Sequence, residues 1–165
     1  CTEASLAGVF TGSGVGFAPC TAQACIEILD HYGIEISGKR VVVIGRSLVI
    51  GKPVAMLLLA KNGTVTIAHS RTQNLPEIAS QADIVVACVG RARMVDAAYV
   101  SEGQTIIDVG INFVDGKMAG DVDFDAASEI VSAITPVPRG VGSVTTSVLC
   151  KHLVEAAQAA AQAGK

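Results

Sequence analysis

Val41-Val42-Val43-Ile44-Gly45-Arg46-Ser47-Leu48-Val49-Ile50-Gly51-Lys52-Pro53 sets an apolar, β-branched run against a glycine, a cation and a hydroxyl before returning to apolar residues. β-branched side chains suit a strand buried by its neighbours, and the glycine that follows breaks it. The pattern predicts a buried strand, a glycine loop and then a helix over Val54–Ala60. The start of such a helix offers unpaired backbone N–H groups and a partial positive charge to a phosphate. Gly45 lets the backbone turn there, and Gly51 permits close packing. The stretch departs from the usual G-x-G-x-x-G, because Ser47 stands at the second glycine and Arg46 precedes it. On this stretch alone two readings stand: a dinucleotide phosphate loop, and an ordinary strand–turn–helix of an α/β protein.

Outward from it, β-branched runs recur at intervals of roughly 20 to 25 residues, each followed by an Ala-rich helical pattern, the form of repeated βαβ units. The expected strands are Arg40–Ile44, Thr64–Ala68, Ile84–Cys88, Thr105–Val109 and Ile130–Ile134. They lack strict polar alternation, which implies burial on both faces by crossover helices. The fold class is therefore α/β, a Rossmann-like doubly wound parallel sheet in a single domain. Ahead of it, Thr21 is expected to cap a helix over Ala22–His31, and a last helix is expected over Thr145–Ala163. Residues 1–18, with the glycine-rich Gly12-Ser13-Gly14-Val15-Gly16, are expected to be a linker or remnant without a fold of their own. Pro19 follows too soon for a phosphate-binding helix to start there.

At 165 residues the chain has room for one domain. Half of it is hydrophobic, 16% is charged and the net charge is −3, which argues against disorder and against a nucleic-acid surface. With 4% aromatic residues and no Trp, stacking platforms for single strands are not expected either. Five cysteines without a CxxC pair suggest reduced thiols and a cytoplasmic location, and no membrane span or metal site is expected. The chain opens Cys1-Thr2 rather than with Met, so a piece of a longer protein is expected.

The second expected strand ends in His69-Ser70-Arg71-Thr72, where dinucleotide folds face the adenosine ribose. An acid there selects NAD, whereas arginine favours a 2′-phosphate. No Asp or Glu is present, and Arg46 and Arg71 with Ser47 and Ser70 would form charge-assisted bonds to a phosphate. NADP is therefore preferred. The alternative is a solvated polar loop in which Ser70 or Thr72 caps the next helix. The remaining strand ends bring Cys88-Val89-Gly90, Asp108-Val109-Gly110-Ile111-Asn112 and Thr135-Pro136-Val137-Pro138-Arg139-Gly140-Val141-Gly142 to the same edge. Asp108 reads as a turn cap, Cys88 as a packing residue, and Asp121, Asp123 and Asp125 as solvated carboxylates.

Taken together, these residues resemble the bifunctional methylenetetrahydrofolate dehydrogenase/methenyltetrahydrofolate cyclohydrolase family, in its C-terminal nucleotide-binding domain. The resemblance runs from about Ala18 to Ala160 and rests on Pro19-Cys20-Thr21, Gly45-Arg46-Ser47 with Val49 and Gly51-Lys52-Pro53, His69-Ser70-Arg71-Thr72, Asp108–Asn112, Gly120-Asp121-Val122-Asp123 and Thr135–Pro138, in the family's order. It implies NADP held by Gly45, Arg46, Ser47, Ser70 and Arg71, with the nicotinamide half near Gly90 and Ile111 and Thr145 close to its carboxamide. Hydride would pass from the one-carbon bridge of a tetrahydrofolate derivative to the nicotinamide, and the methenyl product would then be hydrolysed. The family places its catalytic Lys, with a Tyr shortly before it, in a preceding domain. The present chain, residues 19–165 in particular, is accordingly expected to bind cofactor, to contain no catalytic residue and to turn over little by itself. The resemblance also implies a homodimer for the full-length protein and a last helix that packs on the catalytic domain. The sequence departs from the family at Arg139, usually Gly, and at Ser143, usually Pro; Ala22 and Ala24 likewise replace a usual Pro and Gly. A non-catalytic nucleotide-binding module of the same fold is the alternative, ahead of a different α/β dehydrogenase.

Overall fold

A computed structural model describes residues 2–163. Five parallel strands form one sheet in the order β2-β1-β3-β4-β7, comprising β1 (Arg40–Ile44), β2 (Thr64–Ala68), β3 (Ile84–Ala87), β4 (Thr105–Asp108) and β7 (Ala133–Ile134). All their pairings are parallel, with Val41 beside Val65 and Ile84, and Val85 beside Ile106. Side chains alternate between two cores. Val41, Val43, Ile84, Val86 and Ile107 face α2 (Cys20–His31), α3 (Gly51–Ala60) and α6 (Val141–Ala163). Val42, Ile44, Val85, Ala87 and Ile106 face the other layer, which includes α4 (Leu75–Ser80) and α5 (Phe124–Ser128). The inner strands β1, β3 and β4 are covered on both faces and need no polar alternation, whereas the edge strand β2 buries only Ala68; the doubly wound α/β reading holds.

The boundaries moved where local hydrogen bonds compete with the ladder. β7 keeps only Ala133–Ile134 of the expected Ile130–Ile134, because the N–H groups of Ile130 and Val131 both donate to the Ala127 carbonyl and finish α5. α2 begins at Cys20 with Pro19 at its N-cap, so Thr21 lies inside the helix and does not cap it. α3 begins at Gly51, ahead of the expected Val54, and α6 at Val141, ahead of Thr145. Pro53 sits in the first turn of α3, where its missing N–H leaves no helix bond unmade. An antiparallel hairpin of β5 (Asn112–Val114) and β6 (Lys117–Ala119) stands outside the main sheet and has no counterpart in the sequence reading.

Residues before Pro19 are more ordered than expected. α1 (Glu3–Thr11) is capped by the Thr2 hydroxyl, which accepts from Ser5 N at 3.2 Å. The glycine-rich stretch folds back on this helix: a Cβ at Gly8 would overlap the Val15 carbonyl, and Phe17 N donates to Ser5 Oγ at 3.3 Å. Close backbone approach at Gly8 carries no hydrophobic periodicity, so the reading from pattern missed it.

α6 packs its Val141 and Val148 into the core, while Leu149 (58% exposed), Leu153 (70%) and Val154 (55%) face outward. No helix among the described residues is long and apolar enough to cross a membrane.

Burial pushes the Cys25 thiol up to about 12, and burial followed by the charge of Asp121 does the same for Cys88. Both remain protonated at neutral pH, whereas Cys150 is exposed. Thiolate is the reacting species. Iodoacetamide at pH 8 should therefore label Cys150 well before Cys25 or Cys88, read by peptide mass spectrometry; equal labelling of Cys25 in the folded protein would contradict this packing. Because both thiols ionise at higher pH folded than unfolded, the folded state binds more protons between pH 9 and about 12. Stability should fall across that window, by up to about 1.4 kcal/mol per pH unit for each thiol.

Candidate nucleotide site

β1 has β2 on one side and β3 on the other, so after β2 the chain crosses back over β1 to reach β3 and the direction of winding reverses. Such a reversal opens a crevice at the carboxyl ends of the two central strands. The crevice here measures about 720 Å³ and is lined by Gly45, Arg46 and Ser47 after β1, Ser70 and its neighbours after β2, and Cys88, Val89 and Arg91 after β3. Its lining includes two arginines and no Asp or Glu. Among the described residues, neither Arg46 nor Arg91 is spent on an ion pair.

The β1 loop is shaped by two glycines. Gly45 has φ +137°, and a Cβ there would overlap both the carbonyl and the sulfur of Cys88. A Cβ at Gly51 would overlap the Gly45 carbonyl, so the loop lies directly on the start of α3. Ser47 Oγ accepts from Ile50 N at 3.1 Å and Gly51 N at 3.3 Å, which explains why α3 starts early. Its hydroxyl hydrogen is left to donate to an anion.

The β2 turn is held by its own residues: His69 N donates to Thr72 Oγ1 at 2.9 Å, and Arg71 N donates to His69 Nδ1 at 3.2 Å. Thr72 therefore ties this turn. His69 and Ser70 line the crevice; Arg71 is exposed on the same turn but outside the lining. Gly90, at φ +67°, lies between the lining residues Val89 and Arg91. Ile111 lines a separate hollow of about 340 Å³ with Asp108–Gly110, Pro136–Ser143 and Thr146. Thr145 is not part of that lining, and its hydroxyl donates to the Val141 carbonyl at 3.0 Å within α6. Arg139 holds φ +75°, a conformation that glycine adopts freely.

One carboxylate differs from the sequence reading and another does more than it implied. Asp121 is not solvated but fully buried, accepting from the N–H groups of Val89 (2.6 Å), Gly90 (2.9 Å) and Arg91 (2.9 Å) and from Asn112 Nδ2 (2.9 Å). Asp108 does cap its turn, through Gly110 N at 2.9 Å, and also accepts from Asp121 N and Val122 N at 3.0 Å. Burial pushes its carboxyl pKa above the ordinary carboxylate value, against the lowering effect of those N–H donors. Arg91 was likewise missed, because only the tertiary fold brings it beside Arg46.

The order of strands and the cationic crevice at their reversal define a doubly wound nucleotide-binding domain. The family described as "Tetrahydrofolate dehydrogenase/cyclohydrolase, NAD(P)-binding domain" matches residues 19–161, and the chain belongs to that family. It is 58% identical over 160 residues to the bifunctional protein FolD of Carboxydothermus hydrogenoformans, covering 95% of this chain and 56% of that protein. The crystal structure of the bifunctional FolD methylenetetrahydrofolate dehydrogenase/cyclohydrolase of Campylobacter jejuni superposes with a TM-score of 0.90 at 38% identity, covering 93% of this chain and 55% of the other. The Trypanosoma brucei FolD structure, complexed with NADP cofactor and inhibitor, gives 0.86 at 39% identity, covering 93% and 55%. The chain thus spans about half the length of the relatives it matches.

Proposed function

We propose that this chain is the NADP-binding portion of a bifunctional methylenetetrahydrofolate dehydrogenase/methenyltetrahydrofolate cyclohydrolase. The observation that carries the reading is the crevice between the ends of β1, β2 and β3, lined by Arg46, Ser47, Ser70 and Arg91 without a carboxylate. The residues fit a phosphorylated dinucleotide in three respects. The loop at Gly45 has no room for a side chain, the Ser47 hydroxyl sits at the start of α3, and arginine supplies the charge. Arg46 and Ser47 would hold phosphate, and Ser70 and Arg71 would select the 2′-phosphate over the free hydroxyl of NAD. The hollow beside Ile111, Gly140 and Gly142 would receive the nicotinamide half; Gly90 and Thr145, outside its lining, are assigned to that half by family resemblance alone.

When bound, the nicotinamide supplies the hydride acceptor. The protein's share here is orientation and electrostatics. None of the residues assigned to the crevice acts as an acid, base or nucleophile in this reading. The chain alone is therefore proposed to bind cofactor with little turnover of tetrahydrofolate derivatives. Family resemblance supports a homodimer for the full-length protein, and the free thiols of Cys20, Cys25, Cys88 and Cys150 accord with the cytoplasm.

Calorimetric titration with NADP and with NAD tests the reading. NADP should bind at least tenfold more tightly, which corresponds to about 1.4 kcal/mol. Equal affinities would remove the specificity for the phosphorylated form.

A further inference from the structure

The wall of the crevice that follows β3 has an unusual support. Three consecutive N–H groups, those of Val89, Gly90 and Arg91, converge on the single carboxylate of Asp121. Successive N–H groups pointing into one concavity form a nest suited to an anion. Here the anion is internal. Asp121 lies just beyond β6, is 0% exposed, and reaches the loop past Gly110, where a Cβ would overlap its carboxylate. Its backbone is held in turn: Asp121 N donates to Asp108 Oδ1 at 3.0 Å, and its carbonyl accepts from Val95 N at 3.0 Å. The loop is thereby anchored from below by a rigid chain of bonds, and its N–H groups are already used. What it can still present to a phosphate is the exposed guanidinium of Arg91, which lines the crevice together with Arg46.

We propose that Arg91 is a further cation for the cofactor's phosphates, and that Asp121 is a positioning residue that fixes the loop carrying it. This rests on the reading of the crevice as an NADP site. Arg91 acts by charge. Asp121 touches no cofactor and acts by occupying the nest, which sets the direction of the wall and leaves Arg91 as its only anion-binding group.

The test uses NADP titrations of the present chain and a double-mutant cycle. Arg91→Ala, at an exposed position, should weaken NADP roughly tenfold with an unchanged melting temperature. Asp121→Asn sets an amide against N–H donors and should weaken NADP at least as much, and the double variant should bind within about twofold of Asp121→Asn alone. Gln104→Met provides the structural control. Gln104 is buried at the opposite end of β4, where its side chain bonds Ala79, Ala82 and Ser101, so its loss should lower the melting temperature and leave NADP affinity unchanged. If Asp121→Asn fails to fold, Asn112→Ala, which removes one donor to the same carboxylate, replaces it in the cycle with the same expected coupling. An unchanged affinity in Arg91→Ala, or additive losses in the cycle, overturns the proposal while wild-type binding keeps the cofactor reading intact. Failure of the wild-type chain to bind NADP overturns both.

Discussion

Gly45→Ala should abolish measurable NADP binding. The backbone at this position has φ +137°, which a residue with a Cβ holds only under strain, at a cost of about 1–3 kcal/mol. The added methyl would also overlap the Cys88 carbonyl and sulfur, and overpacking of this kind costs about 1–3 kcal/mol more. The strain is relieved only by moving the β1 loop or the end of β3, and both line the crevice. The variant should therefore melt several degrees lower and show no heat of binding at cofactor concentrations that saturate the wild type. An alanine variant that binds NADP within threefold of wild type would mean that the loop is not held against Cys88.

The second large effect concerns Arg46. It lines the crevice, pairs with no carboxylate among the described residues, and carries its charge at any accessible pH. A hydrogen bond to a charged group is worth about 1.5–3 kcal/mol, so Arg46→Ala should weaken NADP by roughly tenfold to a hundredfold. The residue is exposed, so stability should stay within about 0.5 kcal/mol. Arg71→Ala divides the roles: Arg71 stands on the β2 turn outside the lining, so its loss should weaken NADP and leave NAD nearly untouched. Both losses should shrink as salt rises, because exposed charges are screened. Parallel titrations of the two nucleotides at low and high salt would show this. Equal weakening of NADP and NAD by Arg71→Ala would contradict the assignment of the 2′-phosphate to that turn.

The exposed face of α6 follows from the same sequence features. Leu149 and Leu153 lie four residues apart on a face of α6 that points away from α2, while Lys151 and His152 reach Glu27 and Cys20 of α2, so the exposure of the two leucines results from which face the helix turns to its neighbour. Arg139 is a different case. The sequence shows only that a residue usually glycine in the family has been replaced; the backbone shows that the replacement keeps a glycine-like φ of +75°.

Much of the fold was legible because its signals are local. Four of the five strands, the glycine loop between β1 and α3, and the helices α2 and α6 all rest on β-branched runs or helical periodicity that survive in any arrangement of the chain. The strand ends were less legible, since the residues of Ile130–Val131 that favour a strand were claimed by the end of α5 through its own hydrogen bonds. α1 and the β5–β6 hairpin leave no apolar period in the sequence, because close glycine contacts and short turns hold them.

By itself, the sequence determined the parallel α/β class, the placing of Gly45, Arg46, Ser47 and Ser70 at strand ends, and the absence of an acid where NAD would need one. Each is a property of a residue and its near neighbours. Only the tertiary structure decided that Asp121 is buried beneath Val89–Arg91, that Arg91 shares a crevice with Arg46, and that Ile111 belongs to a separate hollow. Those facts depend on which strand lies beside which. A carboxylate 30 residues from the loop it holds is indistinguishable, in sequence, from one that simply faces water.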